Sequence, residues 1–230
     1  TGNVGINNSS PTQRLEINGN SQFNMYDNGS GGGGYYTTKG LQIGNAFDAG
    51  LSGGDDDRNA IVWNERGTSL LFATNNIEHM RINADGIVTK PLQPAFLAQG
   101  ANGQNNIAVG SASIILLPTE RFDNNNDFSS NTFTAPVTGK YQLNSHVYLL
   151  QMPTNSSYFE TYLVTSNKTY AGAITPSSYG GGGISYVSIE IAVLADMDAG
   201  DTAFLRISQG SGTQSTDVHQ NTAFSGYLVA

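Results

Sequence analysis

The stretch 132–147, above all its second half, limits the fold more than any other part of the chain. Tyr141, Leu143, Ser145, Val147 and Leu149 fall on one side of an extended backbone, and Lys140, Gln142, Asn144 and His146 on the other. A helix, repeating every 3.6 residues, cannot separate these two sets, whereas a strand does so by its pleat. The run therefore predicts a strand with one buried face. Pro136 and Gly139 punctuate its start: proline lacks the N–H that a ladder needs, and glycine permits a tight turn.

The rest of the composition agrees with short strands joined by many turns. Only 12% of the 230 residues are charged, glycine occurs 28 times, and no window carries an apolar helical stripe with caps. The fold class expected is all-β, in one large or two small domains. No cysteine is present, which excludes a disulfide framework and any thiolate metal site. Ten basic residues against eighteen acidic ones, net charge −8, argue against a nucleic-acid partner. Neither a long apolar run nor a basic-then-apolar leader appears, so no membrane insertion is expected.

Residues 1–19 contain Gly2-Asn-Val-Gly-Ile6, Ser10-Pro11 and Leu15-Glu-Ile-Asn-Gly19. The last of these returns as Met80-Arg-Ile-Asn-Ala-Asp-Gly86, followed by Ile87 and Val88. The chain thus opens part-way through a unit that it meets again at residue 80, and reads as the C-terminal part of a longer protein. Between the copies, candidate strands at 22–26, 40–43, 60–64, 70–73 and 77–82 are separated by turn formers at 28–34, 49–57 and 65–67. Strands this short bury little area and make a poor core alone. Thr89-Lys-Pro-Leu-Gln-Pro94 is stiff and extended, and marks a boundary between a domain at 1–91 and another at 92–230. In the second domain candidate strands lie at 94–98, 107–109, 113–117, 140–150, 158–165, 169–174, 184–194, 202–208 and 223–229.

Phe133, five residues, Gly139, Lys140, Tyr141, Gln142, Leu143 resembles the signature of the complement C1q globular head. Leucine at 143 and asparagine at 126 stand where the family carries aromatics. Asp198-Ala-Gly-Asp201 with residues 203–207 resembles the family's turn and penultimate strand, and residues 224–230 its closing strand. The resemblance implies a trimeric jelly roll, of the kind shared with the tumour necrosis factors, and a recognition module rather than an enzyme. It implies that Phe133, Tyr141, Leu143, Phe224 and Leu228 lie in the core or at the trimer interface, with Tyr141/Leu143 and Phe224/Leu228 on one inner sheet. The unit at 1–19 and 80–88 resembles the stem repeats of bacteriophage tail fibres, where three chains wind short β-elements about one axis. Together the resemblances imply an intertwined fibre stem and small β-knob at 1–91, followed by a receptor-binding jelly-roll head. The implied partners are two further copies, a host cell-surface receptor of glycan type, and other tail proteins through the preceding part of the chain. The implied location is the fibre tip of a virion.

In the C1q family both ends of the head lie at its base. Alternation through antiparallel strands then carries 209–222, 175–183 and 151–157 to the far apex. Loops on a rigid scaffold carry specificity. Asn155, Tyr179, Gln214, Asp217 and His219 are the candidate receptor contacts there: ring faces stack on sugars, while amides, carboxylates and imidazoles bond hydroxyls. Tyr35, Tyr36 and Trp63 give the knob a rival aromatic surface.

No stretch carries a catalytic motif. Gly50-Leu-Ser-Gly-Gly54 has the letters of a nucleophile elbow, but Asp55-Asp-Asp57 follows where a helix should open. His79, His146 and His219 are far apart and lack metal-ligand spacing, which leaves only a triad contributed by three chains around an axis. In Asp123-Asn-Asn-Asn-Asp127 the glycine and distal glutamate of a calcium loop are replaced by Phe128 and Thr134. Related heads sometimes hold calcium near the trimer axis; no ligands are assignable by motif, and no other cofactor is expected. Gly31–Gly34 and Gly180–Gly183 are followed by no Lys-Ser/Thr and are not phosphate loops. Two alternative readings remain: a polysaccharide depolymerase on a fibre scaffold, which would need paired carboxylates in a groove, and a secreted complement-like or bacterial surface protein with no phage connection, which the stem repeat disfavours.

Overall fold

The structure, a computed structural model, describes residues 41–45, 60–64, 67–100, 103–179 and 184–230, without the side chains at 41–45, 60, 61, 63, 178 and 179. The chain divides between Lys90 and Pro91 into two units. Among the described residues there is no α-helix, and none is long and apolar enough to cross a membrane; a single 3-10 turn spans Pro176–Tyr179.

In the first unit β1 (Leu41–Asn45) pairs antiparallel with β2 (Ala60–Asn64). β3 (Leu70–Thr74), β4 (Ile77–Ile82) and β5 (Val88–Thr89) form a separate three-stranded sheet in that order. Asn75 and Asn76 join β3 to β4 with φ of 50° and 60°, the left-handed pair that a two-residue hairpin demands and that asparagine tolerates. The repeated motif at 80–88 is the β4–β5 hairpin. Its turn is closed by the Asn83 side chain, whose Oδ1 accepts the N–H groups of Asp85 at 3.0 Å and Ile87 at 2.8 Å. Leu71, Phe72, Ile77, Ile87 and Val88 stay exposed, so among the described residues these strands have no core of their own. The first copy of the motif, the 22–26 strand, the glycine run at 31–34, Tyr35, Tyr36, the nucleophile-elbow letters and the acidic run at 55–57 lie outside the described residues.

The second unit contains β6 (Ala95–Gln99), β7 (Ala112–Ile114), β8 (Thr119–Asp123), β9 (Phe128–Ser129), β10 (Thr132–Thr134), β11 (Gly139–Met152), β12 (Phe159–Thr165), β13 (Thr169–Ile174), β14 (Ile184–Met197), β15 (Thr202–Gln209), β16 (Asp217–Val218) and β17 (Ala223–Leu228). Two antiparallel sheets face each other. One has the order β14-β11-β17-β6-β8 with β16 also on β11, the other β13-β12-β15-β10-β9 with β7 also on β15. This is a jelly roll, and the expected all-β class holds.

The alternation read from the sequence is present on β11: Tyr141, Leu143, Ser145, Val147 and Leu149 are buried, and Lys140 is exposed. Phe96 is the hub of the core. Its ring stacks on Phe133 at 4.6 Å and on Phe128 at 5.1 Å, and meets Phe224 edge-on at 5.0 Å. Each such ring, fully buried, contributes roughly 1.5–3 kcal/mol. Tyr141 keeps its hydroxyl satisfied in this apolar setting by donating to the Val137 carbonyl at 2.8 Å, and burial pushes its pKa up. Of the two roles expected for Phe133, Tyr141, Leu143 and Phe224, the core of one chain is where they lie, at 0–1% exposure; Leu228 is half-buried against it. Tyr141/Leu143 and Phe224/Leu228 do share a sheet, β11 beside β17, but Tyr141, Leu143 and Phe224 point at the opposite sheet.

The segment 107–109 forms no strand. Gly103 and Gly110 bracket it at φ of 72° and 74° and Asn106 turns at 52°, so the backbone cannot stay extended, although Ile107 is still buried. Conversely β8, β9 and β16 carry no alternating pattern that would have announced them. The acidic turn at 123–127 is closed from within: the Asp123 carboxylate accepts the N–H groups of Asp127 at 3.0 Å and Phe128 at 2.8 Å.

Candidate functional site

Register fixes which loops share an end of the sandwich. Met152 lies opposite Ile184, Phe159 opposite both Ile174 and Gln209, and Gln99 opposite Ala223. The described parts of the connections 100–111, 153–158, 175–183 and 210–222 therefore gather at one end. At the other end Gly139 faces Met197, and the two extremities of the unit are tied together: the Leu228 N–H donates to the Pro94 carbonyl at 3.0 Å, and the Lys140 N–H to the Ala230 carbonyl at 2.7 Å. Three of the four gathered loops are those expected from the sequence. The fourth, 100–111, is masked in the sequence by the apparent strand at 107–109.

The loops are held by polar side chains, chief among them Gln209. It continues the inward series Ala203, Leu205, Ile207 on β15 and is fully buried. Its Nε2 donates to the carbonyls of Ser211 at 2.9 Å and Thr213 at 2.8 Å, and its Oε1 accepts the Thr216 hydroxyl at 2.9 Å. A buried amide with every such bond made specifies one loop path; left unpaired it would cost several kcal/mol. Sequence could have found Gln209, since a polar residue extending an apolar period of two is a buried polar group in need of partners. Gly212, at φ +90°, is where 210–222 presses on 153–158: a Cβ there would stand 2.8 Å from the Ser156 nitrogen.

The predicted contact residues serve the same framework. Asn155 Oδ1 accepts the Thr213 N–H at 3.1 Å. Asp217 accepts the Asn106 N–H at 2.8 Å and the Gln151 amide at 3.2 Å, and Gln214 donates to the Asn106 carbonyl at 2.8 Å. The structure thus brings Gln214 and Asp217 together at Asn106. His219 lies apart from them, its ring edge-on to Tyr148 at 5.0 Å and its Nδ1 accepting the Asn221 N–H at 3.1 Å. Tyr179 ends the 3-10 turn in the 175–183 connection. Of the other histidines, His79 shares a 2.7 Å hydrogen bond with Thr74 and His146 meets Glu190 at 3.0 Å across β11 and β14. No cluster of three metal-ligating side chains occurs among the described residues.

Beside the struts a cleft of about 480 Å³ opens at the ends of β11 and β14, lined by Leu150, Gln151, Met152, Pro153, Ile184 and Tyr186 among others. Tyr186 is 64% exposed and stacks on Tyr148 at 5.9 Å, so one wall is an aromatic face held in place from behind. Gln151 forms the polar side with φ of 53°. This is a shallow, uncharged surface suited to binding through ring contacts and amide hydrogen bonds.

A two-sheet antiparallel sandwich that presents fastened loops at one end defines a binding module. The chain belongs to the C1q domain family, whose sequence profile matches residues 95–229. C1q domains are recognition modules, not enzymes, and commonly form trimers. Among solved structures the chain is similar to the globular domain of zebrafish complement 1qA, at 15% identity over 60% of this chain and 98% of that one, with a TM-score of 0.44. It is also similar to murine APRIL, at 10% identity over 60% and 99% of the two chains with a TM-score of 0.45. The TNF protein Eiger from S. frugiperda matches at 15% identity over 60% and 94%, with a TM-score of 0.46. No curated protein matches the chain.

Proposed function

We propose that this chain is the distal, receptor-binding part of a bacteriophage tail fibre, a homotrimer that attaches the virion to a cell-surface glycan through the gathered loops of its C1q domain. The observation that carries the adhesive role is the convergence of four loops at the end opposite the domain's own extremities, where Gln209 holds the path of 210–222 and Asn155, Gln214 and Asp217 tie that loop to its neighbours. Support for the fibre comes from the β4–β5 hairpin built by the repeated motif, and from the exposed apolar strands around it, which partner chains in a fibre would cover. Trimerisation is supported by apolar side chains on the outward face of the β14-β11-β17-β6-β8 sheet, where Leu194, Tyr227 and Phe122 are each about half exposed, with Gln142 between the first two. Asn155, Gln214, Asp217 and His219 act by holding the loops in shape, while Tyr186, Gln151 and Tyr179 meet the sugar.

The test is attachment of the purified chain to bacterial cells and to a glycan array. Replacing Tyr179 and Tyr186 together by alanine lowers attachment about tenfold or more, with oligomeric mass and melting temperature retained. Unchanged attachment by that variant, with loss on replacing Tyr35, Tyr36 and Trp63, moves the site to the first unit. Release of reducing ends from host polysaccharide makes the protein a depolymerase instead, and binding to animal serum proteins but to no bacterium favours the complement-like alternative.

A further inference from the structure

On the face of the second sheet that points away from the core, Arg206 stands in the middle of β15. Tyr162 of β12 lies directly across on one side and Ile114 of β7 on the other. The guanidinium carbon lies 5.5 Å from the centre of the Tyr162 ring and 5.9 Å from that of Phe204, so the plane of the cation is fixed by two aromatic faces. Its Nε is buried and has no hydrogen-bond partner, and among the described residues no carboxylate pairs with it. Glu160 on β12 instead accepts the hydroxyl of Tyr162 at 2.6 Å, which pushes the Tyr162 pKa up to about 12 and keeps the phenol protonated. The enclosed Nε is thus an unpaired donor where buried donors are ordinarily paired, and it is the terminal nitrogens of the fork that a partner from outside would meet.

What surrounds it narrows the occupant. A guanidinium fork matches a carboxylate with two parallel N–H···O bonds, which a lysine cannot copy. The rings of Tyr162 and Phe204 lie under the cation and are not free to stack on a sugar. The open rim is aliphatic: Ile114 and Leu116 are each 50% exposed. A saccharide wants hydroxyl partners and a bare ring face, whereas a peptide offers a carboxylate and an aliphatic side chain together. We propose that this outer sheet face docks a protein segment that presents an acidic side chain next to a leucine-like one, with Arg206 clamping the carboxylate. The site is separate from the loop end and independent of the fibre reading.

The experiment labels the arginines of the full chain with ¹⁵N and follows the Arg206 Nε–H resonance, identified by its loss in Arg206→Lys. Acetyl-Leu-Glu-Leu-amide is expected to shift it saturably at millimolar concentration, and acetyl-Leu-Gln-Leu-amide about fivefold more weakly or less. Binding of the acidic peptide should fall by a similar factor in Arg206→Lys, at an unchanged melting temperature. Absence of a saturable shift overturns the proposal, whether or not a bound water proves to occupy the Nε–H, and so does an equal shift by the glutamine peptide. Tighter binding of glucuronate than of the acidic peptide overturns the choice of a protein partner. Because the two peptides are compared on the unaltered protein, the outcome does not depend on the variant folding.

Discussion

At Gly226 the room for a side chain is gone: an added Cβ would stand 2.6 Å from Leu143 Cδ2 and 2.8 Å from Phe96 Cε1, in the middle of the aromatic core. Gly226→Ala should therefore destabilise the domain by about 1–3 kcal/mol, lowering its melting temperature by several degrees in calorimetry. An unchanged transition would mean that the core is looser than its ring distances say. Asp127 gives a second prediction, of sign. Burial holds its carboxyl above the ordinary value, the Asn125 amide pulls the other way, and the Asp123 carboxylate adds to the rise. A carboxyl raised in the folded state favours folding below its unfolded pKa and loses that contribution as pH rises through the folded one. Asp127→Asn should accordingly gain stability relative to the parent at neutral pH, and the gap should close as pH falls through the carboxylate range. A gap that widens in acid would rule this out. The side on which Tyr141 and Leu143 lie is legible from the period of two, but the period says only that the two faces of a strand differ. Whether the covering layer belongs to the same chain or to a neighbouring copy depends on contacts of long sequence separation, such as those that bring Phe96 beside Phe133 and Phe224, which no local pattern encodes.

Among the elements, the long strands are the most readable in sequence and the loop end the least. β11, β14 and β15 announce themselves because each runs far enough for alternation to accumulate, whereas β9 and β16, two residues each, exist only because a neighbour offers a ladder. The contact residues expected at the loop end are marked by polar chemistry, and polarity does not separate a strut from a ligand contact: Asn155 and Asp217 have the composition of a binding site and the bonding of a frame. The role of Gln209 can be tested on the frame directly. Gln209→Leu keeps the bulk and deletes three hydrogen bonds, leaving the Ser211 and Thr213 carbonyls without their donor. Amide exchange over 210–216 should quicken about tenfold or more while exchange in β11 and β14 is unchanged, with a global loss of about 1–3 kcal/mol. Uniform acceleration across both sheets would make Gln209 an ordinary core residue.

At the scale of the whole molecule, the division between Lys90 and Pro91 separates two kinds of stability. The jelly roll buries a continuous apolar cluster in one chain, while β3 after its first residue is exposed along its length. Light scattering on the intact chain should give about three times 24.3 kDa. Leu194→Glu with Tyr227→Glu, both on the outward face of the β14-β11-β17-β6-β8 sheet and away from the core, should return a species near the mass of one chain that keeps its β-sheet circular dichroism. Cleavage within 91–94 should leave a C-terminal piece that still melts cooperatively. A doubly substituted protein that remains trimeric would move the contact to another face.

Pro94, bonded to Leu228, and Ala230, bonded to Lys140, lie at one end of the sandwich, and the gathered loops project from the other. That arrangement decides how the domain meets a mechanical load. A ligand gripped at the loops and a tether leading away through Pro94 pull along the strands, not across them. The bonds of β6 to β17 and β8 then carry the force in parallel and in shear, and must fail together. Had the extremities lain at opposite ends of an edge strand, the same number of bonds would have peeled apart one at a time.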